Sequence, residues 1–277
     1  MNESHGADES ARLSPSIIVA SWLLIWPGGL RDRVSREPYS RETLQPVLSA
    51  TKGITALAAN MLADRGQLDL DAPVAAYWPE FAQADKSEIP VQWLLTHQSG
   101  VLGLDRTISL EQLMDWSLVV ELLATPMEVN RRDVRAAEIP AANGIANALS
   151  FAQMFAAIID EVDGVRCLSS GAMNLARLEQ WRGPDMVMGM ENAVGLGFLL
   201  PTEWCPLGGP GSFDAAGFGG SRAWANPELE LAFAYVPNLC SLGHFDTREA
   251  ALSRAAVMCA TRIRAKYGAN SVESESL

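Results

Sequence analysis

Ser49-Ala50-Thr51-Lys52 stands at the head of the apolar run Gly53 to Gly66, and the reading of that tetrapeptide decides the fold. Ile54, Leu57, Ala58, Met61 and Leu62 recur at three- and four-residue spacing, which predicts a helix, and Gly66 falls where a left-handed cap is expected. Ser49 then lies at a helix start. Residues three apart share a helix face with Cβ atoms about 5–6 Å apart, so the Lys52 ammonium can fold back onto the Ser49 hydroxyl.

A serine hydroxyl is a weak nucleophile at neutral pH, and a neighbouring lysine assists it only once the lysine has lost its own proton. Burial in the apolar run disfavours the ammonium, and so does the positive end of the helix. The same helix end offers backbone N–H groups to a developing oxyanion. Lys52 is one of only three lysines in the chain, at the edge of a segment where a surface residue would be out of place. The bland alternative makes Ser49 an N-cap and Lys52 a solvated first-turn residue. Taken alone, the tetrapeptide fits either reading.

Further blocks follow in order. They are Ser49-Ala-Thr-Lys-Gly53, Gly66-Gln-Leu-Asp-Leu-Asp-Ala-Pro73 and Tyr77-Trp-Pro-Glu-Phe81, then Ile89-Pro-Val-Gln-Trp-Leu-Leu-Thr-His-Gln-Ser-Gly100. Arg135-Ala-Ala-Glu-Ile-Pro-Ala-Ala-Asn-Gly144 and Gly217-Phe-Gly-Gly-Ser221, leading into Leu231-Ala-Phe-Ala-Tyr235, complete the set. In this order the blocks resemble the serine β-lactamase and penicillin-binding-protein superfamily, in its class C-like branch that includes β-lactamase-fold carboxylesterases. The resemblance covers most of residues 28 to 240. It implies an α+β fold, an antiparallel β-sheet flanked by helices of the β-lactamase/transpeptidase kind, with a reduced helical lobe. It also implies Ser49 as the acylated serine and Lys52 as its base, with no metal and no cofactor.

The family's other groups are less complete. Its second motif carries a tyrosine, and no tyrosine occurs here between Tyr77 and Tyr235. Its third motif, Lys-Thr-Gly or His-x-Gly, falls on Ala215-Ala216-Gly217, so the glycine survives and the basic residue does not. The backbone amides of Ser49 and Phe218 are the implied oxyanion donors. Small carboxylic esters are the expected substrates, because a β-lactam or D-Ala peptide would want the missing cation for its carboxylate. The alternative to a hydrolase of a small-molecule ester or amide is a catalytically degenerate homologue that keeps the sheet and binds a ligand or partner without turnover, or retains no activity. The shortfall in length falls at the front and after Leu122-Leu-Ala-Thr-Pro126, where the family has the segment bearing its tyrosine.

Composition agrees with a globular chain. With 277 residues and 48% hydrophobic content it can bury a large core. A net charge of −12 argues against nucleic acid or an anionic membrane as partner. Cys167, Cys205, Cys240 and Cys259 have neither disulfide-frame nor metal-ligand spacing and read as buried thiols, which points to a reducing, cytoplasmic location. Ile17 to Trp26 is apolar but short, and acidic residues precede it, so it reads as a buried strand rather than a signal or anchor. Residues 17–268 form one domain, truncated in its helical region near 101–150, between disordered tails 1–16 and 269–277.

Pro90 opens a short helix through Leu95, and Ala148 to Val162 reads as a helix with Phe151, Met154, Phe155, Ile158 and Ile159 facing the core. His97 is expected in a loop with a structural role. Val194 to Leu200 reads as a strand. Ser221 to Ala225 and Leu229 to Val236 flank a turn at Asn226-Pro227-Glu228, with Leu229, Leu231, Phe233 and Tyr235 on one face. A last helix, Arg248 to Lys266, is expected to lie on the sheet. Trp78, Trp93, Trp116, Trp181, Trp204 and Trp224 could line an acyl pocket, although core burial is the default for tryptophan.

Overall fold

The computed structural model describes residues 36–100, 139–185, 189–238 and 247–267. The apolar stretch 17–26, the truncated helical region at 101–138, Trp116, Cys240, His244 and both proposed tails lie outside them.

The central element is antiparallel. Strands β3 (Trp181–Pro184) and β4 (Glu191–Val194) pair with each other, and β5 (Phe213–Ala216), β6 (Arg222–Asn226) and β7 (Leu231–Tyr235) form a second ladder. Leu199 bridges Val194 on one side and Asp214 on the other, which joins the two ladders. Away from this sheet, β1 (Gln45–Pro46) pairs antiparallel with β2 (Ile145–Ala146).

Alternation along the strands sorts the two faces. Ala215, Ala223, Ala225, Ala232 and Ala234 point to one side, where helix α1 (Thr51–Asp64) and helix α3 (Ala148–Ile159) cover them. Methyl-sized side chains there let helices approach closely. Phe151, Phe155, Phe198 and Phe213 fill the space between, with ring centroids 5.2 to 6.0 Å apart. The opposite set, Trp224, Leu231 and Phe233, packs under helix α5 (Thr247–Tyr267), whose small residues Ala256 and Ala260 lie against it. The expected hairpin face and terminal helix are therefore where the periodicity put them.

Two smaller helices complete the description, α2 (Val91–Leu95) and α4 (Ser170–Ala176). Asp64, at the end of α1, accepts from the Ser169 backbone N–H at 2.9 Å and hydroxyl at 2.7 Å, and Ser169 in turn caps α4. These bonds from Ser169 hold the Asp64 carboxyl below its ordinary range.

Three expectations are corrected. The strand read over Val194 to Leu200 stops at Val194, because Gly197 has φ 87° and a Cβ there would fall 2.4 Å from the Ala56 Cβ on α1. The chain bends so that the Leu196 carbonyl can meet the buried Asn60 side chain at 2.9 Å. None of the described cysteines is fully buried: Cys167 and Cys205 are half-buried and Cys259 is exposed on α5. The tryptophans do not gather in one pocket, since Trp224 is buried beneath α5 while Trp93 and Trp204 are exposed.

Candidate active site

Ser49 sits in a single 3-10 turn, Leu48–Ala50, that runs directly into α1. Leu48 has φ 50°, a left-handed conformation that costs a non-glycine residue energy and is found where function fixes the backbone. The hydroxyl caps nothing. Neither helix start has a side-chain cap, and the described partner of Ser49 Oγ is Lys52 Nζ, 3.3 Å away. Lys52 also donates to the Ala141 carbonyl at 3.0 Å. The N-cap and solvated-lysine alternative therefore does not describe this turn.

Segment 139–146 holds the dyad in place. Its strand β2 pairs with β1, and the Val47 N–H donates to the Gly144 carbonyl at 2.9 Å. Thr51 Oγ1 donates to the Leu48 carbonyl at 2.5 Å and accepts from the Gly144 N–H at 2.8 Å. Thr55, one helical turn further along, donates to the Pro140 carbonyl at 2.6 Å. The first turn of α1 is thus bonded along its side to the loop that supplies the Ala141 carbonyl. Burial pushes the Lys52 ammonium below its ordinary pKa, the direction a general base requires.

The third wall is the end of β5. Ala215 is buried, and a Cβ on Gly53 would fall 2.4 Å from the Ala215 Cβ, so α1 and β5 touch at the position that the sequence resemblance matches to the family's cation. Gly217 comes closer still. A Cβ there would lie 2.2 Å from the Val47 carbonyl oxygen, 2.3 Å from Ser221 Oγ and 3.1 Å from the Ala50 nitrogen. Ser221 donates to the Val47 carbonyl at 2.6 Å and fastens this loop to the turn that carries Ser49. Phe218 follows Gly217 in the 3-10 turn Phe218–Gly220, which packs against the serine turn. Gly217→Ala is expected to cost about 1–3 kcal/mol, as other overpacking changes do, read by denaturant unfolding.

Thr51, Thr55, Ser221 and the Ala141 carbonyl are the site residues that sequence reading missed. Hydroxyls at 51 and 55 on one helix face were a usable signal; a backbone carbonyl has none. No tyrosine hydroxyl bonds Ser49 among the described residues. Tyr39 donates to the Val236 carbonyl and Tyr77 accepts from the Asp69 N–H. His97 is nearer. It has φ 59° after α2, and its pKa is lowered first by desolvation and then by the charge of Lys52, with Asp185 opposing. It lies within electrostatic range of Lys52. No hydrogen bond among the described residues joins it to the dyad.

A separate cleft of about 510 Å³ lies by the opposite end of β5, lined by Leu200, Pro201, Pro206, Ser212, Arg177 and Arg182. Its arginines are already held by Glu228, Glu179 and Glu191, so it presents no free cation to an anionic ligand.

Comparison with known proteins agrees with the architecture. A family model described as Beta-lactamase matches residues 16–128. The esterase/beta-lactamase LipL of Mycobacterium tuberculosis is 28% identical over 321 aligned positions, covering 77% of this chain and 73% of LipL. Because 321 positions take in only 77% of a 277-residue chain, LipL has residues inside the matched stretch that this chain lacks. A crystal structure of a family VIII carboxylesterase superposes with TM-score 0.76 at 23% identity, covering 84% of this chain and 88% of that one. A penicillin-binding-protein homologue from Caulobacter crescentus gives TM-score 0.70 at 25% identity, covering 80% of this chain and 85% of that one.

Proposed function

We propose that this chain, which resembles the serine β-lactamase and penicillin-binding-protein superfamily, is a serine hydrolase working through an acyl-enzyme on Ser49, most suited to small carboxylic esters. The observation that carries the reading is the contact of Lys52 Nζ with Ser49 Oγ at 3.3 Å, made by a lysine whose pKa burial has lowered. As an ammonium, Nζ donates to the hydroxyl. Once deprotonated it accepts the hydroxyl proton, Oγ attacks the ester carbonyl, and the alcohol leaves with a proton returned from Nζ. The Ser49 and Phe218 amides act as donors to the carbonyl oxygen as it gains charge. Water then repeats the sequence on the acyl-enzyme and frees the acid.

Ala215 favours esters over substrates bearing a carboxylate, because the third-motif position offers no cation. Incubation with a fluorophosphonate probe, beside Ser49→Ala, tests the reading. Ser49-dependent labelling is the expected outcome, and its absence in folded protein would sink it.

A second reading, a homologue that binds its ligand without turnover, draws on the lack of a tyrosine bonded to Ser49 and on Ala215. Binding of a short ester with neither labelling nor turnover would select it.

The pH dependence has a defined sign. Lys52 is active as the neutral amine, so kcat/KM rises with pH through its pKa and levels above it. Since burial lowers that pKa, the rising limb lies below the ordinary lysine range. A pH–rate profile in short-chain p-nitrophenyl ester checks this, and a rate that falls across the same limb would contradict it.

A further inference from the structure

The wall that β5 and its following turn set beside Ser49 is almost bare. From 215 to 220 it reads Ala, Ala, Gly, Phe, Gly, Gly. Ala215 is buried against Gly53, Ala216 ends the strand as a methyl group, and the glycines contribute no side chain. Phe218 is the one side chain on this segment with reach. The residue is 51% exposed, although its backbone is held by the Gly217 N–H to Ser221 carbonyl bond at 2.7 Å and by the Ser221 clamp on Val47.

A phenyl ring left in water on a fixed backbone beside a nucleophile is apolar surface that a substrate can cover. We propose that Phe218 is a specificity-determining residue: an apolar group of the ester, borne on its acyl or its alcohol side, packs against the ring and is selected for its length. The inference rests on the serine-hydrolase reading of this site. A fully buried methylene changes affinity about fourfold, so contact on one side gives about twofold per methylene.

The test uses two ester series, p-nitrophenyl acetate to octanoate for the acyl side and methyl to octyl acetate for the alcohol side. In one series the wild type prefers the longer chains. Phe218→Ala is expected to lower the long-to-short ratio of kcat/KM about tenfold there, the effect of about three methylenes resting on the ring, acting through KM, while Phe218→Leu retains most of it. A ratio unchanged in both series, or an equal fall for short and long chains, would overturn the inference.

Calorimetric binding of methyl ketones from butanone to 2-decanone to Ser49→Ala protein provides a readout without turnover. If Ser49 cannot be labelled but affinity rises with chain length and loses that rise in Phe218→Ala, the hydrolase reading falls and the role of Phe218 stands. A flat ketone series, with labelling intact, sinks the role of Phe218 alone.

Discussion

Ser49→Ala is expected to reduce hydrolysis of p-nitrophenyl butyrate to the rate in buffer and to abolish fluorophosphonate labelling, while the protein unfolds at the wild-type temperature. The hydroxyl makes one described side-chain contact, with Lys52, and caps no helix, so removing it costs little stability. The kinetic loss is expected to be large because the neighbouring hydroxyls of Thr51 and Ser221 are tied to the Leu48 and Val47 carbonyls. Removing a nucleophile or its base from a unit that acts together costs several orders of magnitude. The size of the expected loss is bounded by the wild-type excess over background, and the absent tyrosine lowers that excess by a general acid–base factor on the order of 10² to 10⁴.

Lys52→Arg separates base from charge. Arginine keeps the positive charge but cannot deprotonate, so on the proposed mechanism this variant is expected to lose activity nearly as fully as Ser49→Ala. The double variant is then no worse than either single one. Activity retained in Lys52→Arg would mean that Lys52 supplies only field, and that another base deprotonates Ser49.

Much of the architecture could be read because it is periodic. The α1 stripe and the alternation through β7 each repeat at the period of the element they form. The strand β3 at Trp181-Arg-Gly-Pro184 does not alternate and ends in proline, so nothing marked it before the ladder with β4 was seen. Gly197 broke an apolar run for a reason held elsewhere in the chain, the approach of Ala56.

The site divides the same way. Ser49 and Lys52 are three apart on one turn and were legible locally. Their support from Ala141, Gly144 and Ser221 depends on contacts between segments 89 to 174 residues apart. The close contact of Gly53 with Ala215 shows a further limit: sequence registered the lost cation, but only packing reveals that the strand there lies against α1.

Arg222→Met is expected to destabilise the fold by about 3–5 kcal/mol at pH 8, the cost of leaving a buried charge without its partner. Asp214 is completely buried on the α5 side of β5, with Arg222 Nε 3.0 Å from its Oδ2 and no aligned hydrogen bond to either carboxylate oxygen among the described residues. Arg222 also faces Glu249 of α5 at 3.4 Å and donates to Cys205 Sγ at 3.1 Å. Glu249 accepts from Ser253, whose hydroxyl oxygen takes the Trp224 indole N–H at 2.8 Å. One guanidinium therefore serves two buried carboxyls.

Burial pushes the Asp214 carboxyl up to about 7, with Arg222 pulling it down and Glu249 adding to the rise. A carboxyl whose folded pKa lies above its unfolded value is protonated more readily in the folded state. Its contribution therefore favours folding at low pH and declines as pH rises from about 4 to about 7. Thermal unfolding across that window should show a downward slope, relative to Asp214→Asn, that ends near neutrality. Arg222→Met moves the Asp214 pKa higher still, so its penalty is smaller at pH 5 than at pH 8. At about 2–4 °C per kcal/mol the loss at pH 8 is roughly 6–20 °C. Asp214→Asn in the same chain should recover part of it, because the uncompensated charge is then gone. A loss that is unaffected by pH and by Asp214→Asn would assign the cost to lost packing of the arginine stem instead.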